Sequence, residues 1–208
     1  MKYYIISGEA SGDLHAANLV KRLFTVDNQV DVRAWGGDLL RAQGANVVKD
    51  YKDLAFMGFV EVATNIHKVL NNFAFCRNDV LRYKPDVVIL VDYPGFNLRV
   101  AKFLHQQRIK TFYYISPQVW AWHKSRIKRI KKYVDEMFVI LPFEKEFYAK
   151  YQMNVHYWGH PLWDEIKNTS FADDFRHKNG LDDRPIIAIL PGSRKQEIQR
   201  MLPSMLEV

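Results

Sequence analysis

The sequence is poor in cysteine, with one residue of this type, Cys76, among 208. A single cysteine excludes a disulfide within the chain and a zinc site built from cysteines, and it fits a reducing compartment. Long apolar runs are also missing, since no stretch approaches the ~20 residues that a transmembrane helix needs. We expect no secretory signal either, because Lys2 leads directly into a short apolar segment and then Ser7-Gly8-Glu9.

Acidic residues are outnumbered by basic ones, 23 against 30, which gives a formal net charge of +7. An excess of positive charge favours an anionic partner, such as phosphates, nucleic acid or an acidic membrane surface. No nucleic-acid-binding motif and no metal-ligand spacing appears in the sequence. Apolar residues make up 48% of the chain and aromatic residues 14%, which is enough for a packed core.

Short apolar segments alternate with segments of helical periodicity about six times along the chain. Val87–Val91 is the clearest, because five consecutive apolar residues predict a strand that is buried on both faces. This alternation predicts an α/β fold with a doubly wound, mostly parallel, Rossmann-like sheet. The predicted strands cover residues 2–6, 32–35, 45–48, 87–91, 109–115, 135–141 and 155–158.

The last part of the sequence has a different organisation. Residues 1–168 are predicted to form one Rossmann-like domain, and the polar residues 169–185 a linker. Residues 186–190 predict a strand, and the apolar spacing after Arg194 predicts a helix. One strand and one helix cannot cover their own apolar faces. Residues 186–208 are therefore predicted to be the first βα unit of a second, truncated domain.

Asp92 is the first candidate site residue. It follows the central strand directly, and α/β sheets bind ligands at the carboxyl ends of their strands. The sequence leaves two roles open, a residue of the site or a cap for the following turn and helix.

Two glycine-containing turns lead from a strand into a helix. Gly8–Asp13 and Pro191–Arg194 can both direct main-chain N–H groups at an anion. In the second turn, Ser193 and the guanidinium of Arg194 add phosphate-binding groups. The alternative for the first turn is a tight turn in which Ser11 or Asp13 caps the helix.

Residues 60–83 predict an amphipathic helix whose apolar stripe begins at Val60 and reaches Phe73. This stripe faces either the core or a lipid surface. Residues 124–132 carry six cations and no acid, which indicates a solvated face, a contact with anionic headgroups or a contact with nucleic-acid phosphates. Trp120 and Trp122 can stack on a sugar, cover acyl chains or pack inside. His160 at a strand end is an acid/base candidate or a structural residue.

Together these motifs resemble the lipid-A-disaccharide synthase family across essentially the whole chain. The matching motifs, in order, are Gly8–Asp13, Met57-Gly58 with Val60–Val62, Asp92–Asn97, Ser116–Trp122, Leu141–Lys145 with Phe147-Tyr148, Gly159–Pro161 and Leu190–Arg194.

The resemblance implies a GT-B glycosyltransferase, with two Rossmann-like domains facing a cleft. It implies transfer from UDP-2,3-diacylglucosamine to 2,3-diacylglucosamine 1-phosphate, with inversion, and no metal or other cofactor. It further implies a cytoplasmic protein that is peripheral to the inner membrane of Gram-negative bacteria and contacts the anionic membrane surface. Nucleic acid is not an expected partner, and an oligomer is compatible with the sequence.

The resemblance also gives roles to individual residues. Asp92 becomes the candidate base, and Arg194 the residue that stabilises the leaving UDP. The remaining expected substrate contacts are Glu9, Ser11, Gly12, Asn97, Ser116, Trp120, Trp122, His160 and Ser193. The expected membrane contacts are Val60, Val62, Ile66, Val69, Leu70 and Phe73.

The chain departs from the family pattern at several positions. Gly95 replaces a usual second acid, and Gln118 and His123 replace a usual Ser and Arg. Most of the nucleotide-sugar domain is absent, so we expect little or no transferase activity from these 208 residues alone. Two other hypotheses are a non-catalytic, lipid-binding membrane module and a GT-B sugar-nucleotide epimerase.

Overall fold

The computed structural model of the chain describes residues 1–54, 66–169, 174–192 and 195–207. The chain divides into two compact units, Met1–Ile166 and Lys167–Val208. The predicted site residues Val60, Val62, Ser193 and Arg194 lie outside the described residues. The predicted domain and linker boundaries stay a prediction.

A parallel sheet of seven strands forms the centre of the first unit. Its strands are β1 (Lys2–Ser7), β2 (Asp31–Gly36), β3 (Asn46–Asp50), β4 (Val87–Val91), β5 (Lys110–Tyr114), β6 (Glu136–Val139) and β7 (His156–Tyr157). Their order in the sheet is β3-β2-β1-β4-β5-β6-β7, and every neighbouring pair is parallel. The predicted α/β, Rossmann-like fold is thereby confirmed. The order reverses between β1 and β4, as in other doubly wound sheets.

Helices cover both faces of this sheet. They are α1 (Ala10–Val26), α2 (Asp38–Ala42), α3 (Ile66–Tyr83), α4 (Pro94–Gln106), α5 (Arg126–Tyr133), α6 (Phe143–Ala149) and α7 (Leu162–Asn168), with a 3₁₀ turn at Tyr51–Leu54. The sequence did not predict α7 or the 3₁₀ turn. No helix in the described part of the chain combines the length and apolarity that a membrane crossing requires.

Side chains of the strands alternate between two apolar cores, as the pleat of a strand requires. Ile5 and Ile89 point to one face and pack with α1 and α2. Tyr4 and Leu90 point to the other face and pack with α3, α4, α5 and α6. Because β4 contributes fully to both cores, its five apolar residues are all buried.

A polar network inside the second core fastens α3 to the sheet. Arg33 on β2 donates two hydrogen bonds to the Asp79 carboxylate of α3, at 2.8 and 2.7 Å. The hydroxyl of Tyr4 donates a third at 2.8 Å, and the indole of Trp35 donates to that hydroxyl at 2.9 Å. Burial opposes the ionised carboxylate, but the bonds from Arg33 and Tyr4 hold the pKa of Asp79 below its usual value. The network therefore fixes where α3 lies on the sheet.

The second unit contains two helices among its described residues, α8 (Phe175–Lys178) and α9 (Lys195–Leu206). The predicted strand over residues 186–190 is not formed, and Ile187 and Leu190 are 87% and 83% exposed. A strand needs hydrogen bonds to a neighbouring strand, and the described residues of this unit contain none that could pair with it.

Candidate active site

The carboxyl ends of β1 and β4 lie side by side at the point where the strand order reverses. Ser7 at the end of β1 pairs with Val91 at the end of β4. The loops that begin at Gly8 and Asp92 therefore leave the sheet next to each other. Open α/β sheets bind their ligands at this position.

The ring of Tyr93 packs directly on the main chain of Gly8. A Cβ atom built at Gly8 would lie 2.5–2.8 Å from three ring atoms of Tyr93. No side chain larger than that of glycine fits there without displacing the ring. Burial, and next the negative charge of Glu9, raise the pKa of Tyr93, so Glu9 also lies near this contact. The first residues of the glycine turn and the turn after β4 therefore form one packed unit.

The turn after β4 has an unusual backbone. Asp92 and Tyr93 both have positive φ angles, 42° and 48°. Such a conformation costs roughly 1–2 kcal/mol for a residue with a side chain, and it persists only where the surroundings enforce it. Pro94 then begins α4, where its fixed φ fits the first turn. The turn directs the chain away from the sheet within two residues and leaves the Asp92 side chain half-buried.

Neighbouring groups hold the main chain of Asp92 on both sides. Its N–H donates to the carbonyl of Tyr114 at 3.1 Å, and its carbonyl accepts from the Tyr113 hydroxyl at 2.7 Å. Tyr113 is fully buried. Burial, and then the charge of Asp92, raise the pKa of Tyr113, which keeps this hydroxyl protonated as a donor.

Asn97 supports the same turn from below. Its side-chain N–H groups donate to the carbonyls of Asp92, Val91 and Ile6, at 2.8, 3.3 and 3.4 Å. The residue is fully buried, so in this structure its amide serves the main chain at the ends of β4 and β1. The expected contact between Asn97 and substrate stays a prediction.

The glycine turn after β1 has two functions in the structure. Asp13 is buried, and its carboxylate accepts from the main-chain N–H groups of Gly37, Leu39 and Leu40, at 2.6, 3.1 and 3.4 Å. It therefore caps α2 and not its own helix. Gly12 allows α1 to approach β1, since a Cβ at this position would lie 3.0 Å from Cβ of Ser7.

The predicted contacts Glu9 and Ser11 lie at the start of α1, where Glu9 is half-buried and Ser11 is exposed. Glu9 is the N-cap residue of this helix, but its side chain makes no capping hydrogen bond to the first turn. Glu9 lies near the Asp92 turn, since its charge contributes to the raised pKa of Tyr93. The role of Glu9 and Ser11 in binding substrate stays a prediction.

Ser116 begins the loop after β5 and is buried, with 3% exposure. Its hydroxyl lies 2.6 Å from the hydroxyl of Tyr148. Beside it, buried Glu144 accepts from the N–H groups of Leu141 and Ile140 at 2.9 and 3.1 Å. Burial raises the pKa of Glu144 despite these hydrogen bonds. The sequence marked Glu144 and Tyr148 as parts of family motifs but gave neither a role, and in the structure they fasten this loop to α6.

The two tryptophans of this loop differ in exposure. Trp120 is half-buried and meets the ring of Phe143 edge-on, at 5.1 Å between centroids. Trp122 is 67% exposed. Packing accounts for Trp120, whereas Trp122 presents its ring to solvent and so to any ligand that reaches this loop.

His160 follows β7, the last strand of the sheet. Its Nδ1 accepts from the N–H of Leu162 at 3.2 Å. His160 lies close enough to His15 on α1 to help lower the pKa of that imidazole, although burial lowers it more. Sequence reasoning missed His15, since an imidazole in an apolar helix carries no spacing signal.

The predicted membrane-contact residues on α3 also fall into two groups. Leu70 is 54% exposed, whereas Phe73 is partly buried and meets Phe96 edge-on, at 6.2 Å between centroids. Val69 is half-buried. Ile66 begins the helix. Part of the stripe therefore packs on the core, and part of it faces solvent.

Among the described residues, no group of three or more His, Cys, Asp or Glu side chains could hold a metal ion. The chemical groups at the reversal point are instead one half-buried carboxylate on a rigid turn, a neighbouring glutamate and main-chain N–H groups. Such an arrangement can accept a proton from a hydroxyl group placed above the sheet edge.

A family model described as lipid-A-disaccharide synthetase matches residues 3–208. Curated relatives that carry the name lipid-A-disaccharide synthase include proteins of Syntrophus aciditrophicus and Koribacter versatilis. The chain is 43% identical to the first over 98% of its own length, and 38% identical to the second over 100%. It covers 53% and 55% of these two relatives, so it spans about half their length.

Two solved structures share the fold. A UDP-GlcNAc 2-epimerase from Neisseria meningitidis, bound to UDP-GlcNAc, has a TM-score of 0.55 and 13% identity, over 81% of this chain and 50% of its own. S. aureus MnaA, solved with UDP, has a TM-score of 0.59 and 11% identity, over 86% and 51%. At this identity the likeness concerns the fold alone.

Proposed function

Because the chain belongs to the lipid-A-disaccharide synthetase family, we propose that it forms the acceptor side of an inverting glycosyltransferase. The observation that carries this proposal is the rigid turn that holds Asp92 at the reversal point of the sheet. A base must be held in place if it is to meet a hydroxyl group in the correct orientation.

In the proposed reaction, Asp92 takes the proton from the attacking hydroxyl of 2,3-diacylglucosamine 1-phosphate. That oxygen attacks the anomeric carbon of UDP-2,3-diacylglucosamine from the face opposite UDP, which inverts the configuration. UDP leaves with the bonding electron pair, and Arg194 with Ser193 stabilises the added negative charge. Glu9, Ser11, Gly12 and the exposed Trp122 border the acceptor sugar, and His160 lies further along the sheet edge.

The proposal includes a peripheral contact with the cytoplasmic face of the inner membrane. An acylated acceptor resides in a bilayer, so the enzyme must reach its surface. The exposed Leu70 on α3 supports this contact. Val60, Val62, Ile66 and Val69 complete the proposed surface, whereas Phe73 also serves the core.

The test uses a fusion of this chain to the remaining half of the Syntrophus aciditrophicus relative, with a radiolabelled sugar donor. We expect the fusion to form the disaccharide and the 208-residue chain alone to have little or no activity. Asp92→Asn in the fusion should lower kcat by about 10²–10⁴-fold with an unchanged unfolding midpoint. Asp38→Asn, at an exposed carboxylate of α2, is the matched control. Near-normal turnover of the Asp92 variant would remove Asp92 from the mechanism.

The second candidate function is a lipid-binding module without catalysis, which the exposure of Leu70 also favours. Vesicle binding by the fusion without disaccharide formation would support this function. The likeness to epimerase structures concerns the fold alone, so release of the 2-epimer of UDP-GlcNAc by the fusion would be needed to favour the epimerase hypothesis.

A further inference from the structure

Three neighbouring helices, α3, α4 and α5, form one continuous layer on a single face of the sheet. The guanidinium of Arg77 on α3 lies over the ring of Phe103 on α4, at 4.9 Å from its centroid. Arg129 on α5 donates to the carbonyl of Leu98 on α4 at 3.3 Å. Arg77 therefore links α3 to α4, and Arg129 links α4 to α5.

The charges in this layer have one sign at its surface. Of the acidic residues, the three helices contain Asp79 alone, which is 5% exposed and paired with Arg33 at 2.7 Å. The same helices carry ten basic side chains, all exposed except the half-buried Arg126: Lys68, Arg77, Arg82, Arg99, Lys102, Arg126, Lys128, Arg129, Lys131 and Lys132. No exposed carboxylate within these helices offsets them.

The layer also exposes apolar side chains between its cations. Leu70, Phe75 and Leu81 on α3 are 54%, 43% and 42% exposed. Binding to a nucleic-acid backbone does not require exposed apolar side chains, since proteins contact its phosphates and sugars through polar groups. A lipid surface uses both kinds of group, because apolar side chains enter the acyl boundary while cations meet the headgroups.

We propose that the outer surface of α3, α4 and α5 docks as one plane on a membrane leaflet that contains anionic phospholipid. This inference rests on the membrane contact proposed above and deepens it, because it extends that contact from one helix to three and assigns the attraction for anionic lipid to named basic residues. Cations near an anionic leaflet attract it over about a Debye length, so the basic helices orient the molecule before Leu70 inserts.

Docking in this orientation has a consequence for the candidate site. All three helices run back along the sheet from its carboxyl edge, and α4 begins at Pro94, two residues after Asp92. The plane of the leaflet would therefore end beside the Asp92 turn. An acceptor that is anchored in the same leaflet would reach the turn from the side of the bilayer.

The test is flotation of the 208-residue chain with vesicles of phosphatidylcholine, with and without phosphatidylglycerol. We expect binding that requires phosphatidylglycerol and weakens with salt. Lys128→Gln with Lys132→Gln, two exposed residues one turn apart on α5, should weaken binding roughly 30-fold. Lys21→Gln with Arg22→Gln removes the same charge from α1, on the opposite face of the sheet, and should change binding by less than about twofold.

Equal losses in the two double variants would overturn the proposal, as would binding that does not depend on phosphatidylglycerol. Tighter binding to a DNA duplex than to the vesicles, lost in the Lys128 and Lys132 variant, would assign the surface to nucleic acid instead. Failure of the proposed function is a separate result. The fusion could lack transferase activity on detergent-dispersed substrate while its vesicle binding still depends on Lys128 and Lys132. That result would refute the proposed transferase function and support the proposed membrane-docking surface.

Discussion

The Asp13 carboxylate on α1 lies 2.6 Å from the main-chain nitrogen of Gly37, and so joins the first helix to the start of the second. A Cβ atom at Gly37 would lie 2.9 Å from the other oxygen of this carboxylate. The approach therefore requires glycine at position 37. The acid of the glycine turn is thus a support for the fold beside the candidate site.

Replacing Asp13 by alanine should destabilise the chain by about 3 kcal/mol, because three main-chain N–H groups, two of them in buried hydrogen bonds, lose a charged acceptor. Chemical denaturation measures this difference. The matched control is Asp38→Ala in the first turn of α2, whose carboxylate is 72% exposed and should contribute little. An Asp13 variant as stable as the control would show that other groups cap α2.

Asn97→Asp should destabilise the chain by about 3 kcal/mol or more. The substitution replaces a donor to three carbonyls with a buried carboxylate that repels them. The control is Asn71→Asp on the exposed side of α3, which should leave the unfolding midpoint nearly unchanged. If Asn97→Asp were equally neutral, the Asp92 turn would be held by Tyr113 and the main chain alone.

The elements of the sheet could be predicted from the sequence because burial on a face leaves a periodic pattern. Val87–Val91 has the same bounds in the sequence and in the structure. The partners of polar side chains could not be predicted, since they depend on which strands become neighbours. Asn97 bonds to a carbonyl of β1, 91 residues away. Similarly, no composition signal marks the left-handed backbone at Asp92 and Tyr93 or the packing of Tyr93 on Gly8.

Leu70 and Phe73 separate membrane contact from core packing on α3. Phe73→Ala should cost about 2 kcal/mol in unfolding free energy, because the ring is partly buried against Phe96. Leu70→Ser should change stability by less than about 0.5 kcal/mol, since the side chain is more than half exposed. It should nevertheless reduce vesicle binding in flotation. A Leu70 variant that binds vesicles normally would confine this part of the helix to a structural role.

His15→Leu should raise stability at acidic pH. Nδ1 of His15 is buried without a hydrogen-bond partner, and burial lowers the pKa below its ordinary 6.5. Below pH 6.5 the unfolded chain binds a proton that the folded chain excludes, so the wild type loses stability as the pH falls. Leucine cannot bind that proton, so the advantage of the variant should grow from pH 7 to pH 5. A constant difference in unfolding free energy across that range would contradict the lowered pKa.

Glu144→Gln should make stability less dependent on pH above 4.5, the ordinary pKa of glutamate. Burial raises the folded pKa, so between pH 4.5 and that raised value the unfolded chain ionises while the folded chain resists. The wild type therefore loses stability as the pH rises through this window, and the glutamine variant does not. Glutamine keeps an acceptor for the main-chain N–H groups of Ile140 and Leu141, because both bond to the same oxygen, Oε2.

Glu144→Ala is the matched comparison for that variant, since it removes the acceptor together with the charge. It should destabilise the chain by about 2–4 kcal/mol at every pH, because two N–H groups lose their partner. Denaturation curves at pH 4.5, 6 and 7.5 separate the two effects. A glutamine variant that loses as much stability as the alanine variant would mean that the ionised carboxylate itself holds the turn between β6 and α6, and the loop of Ser116 with it.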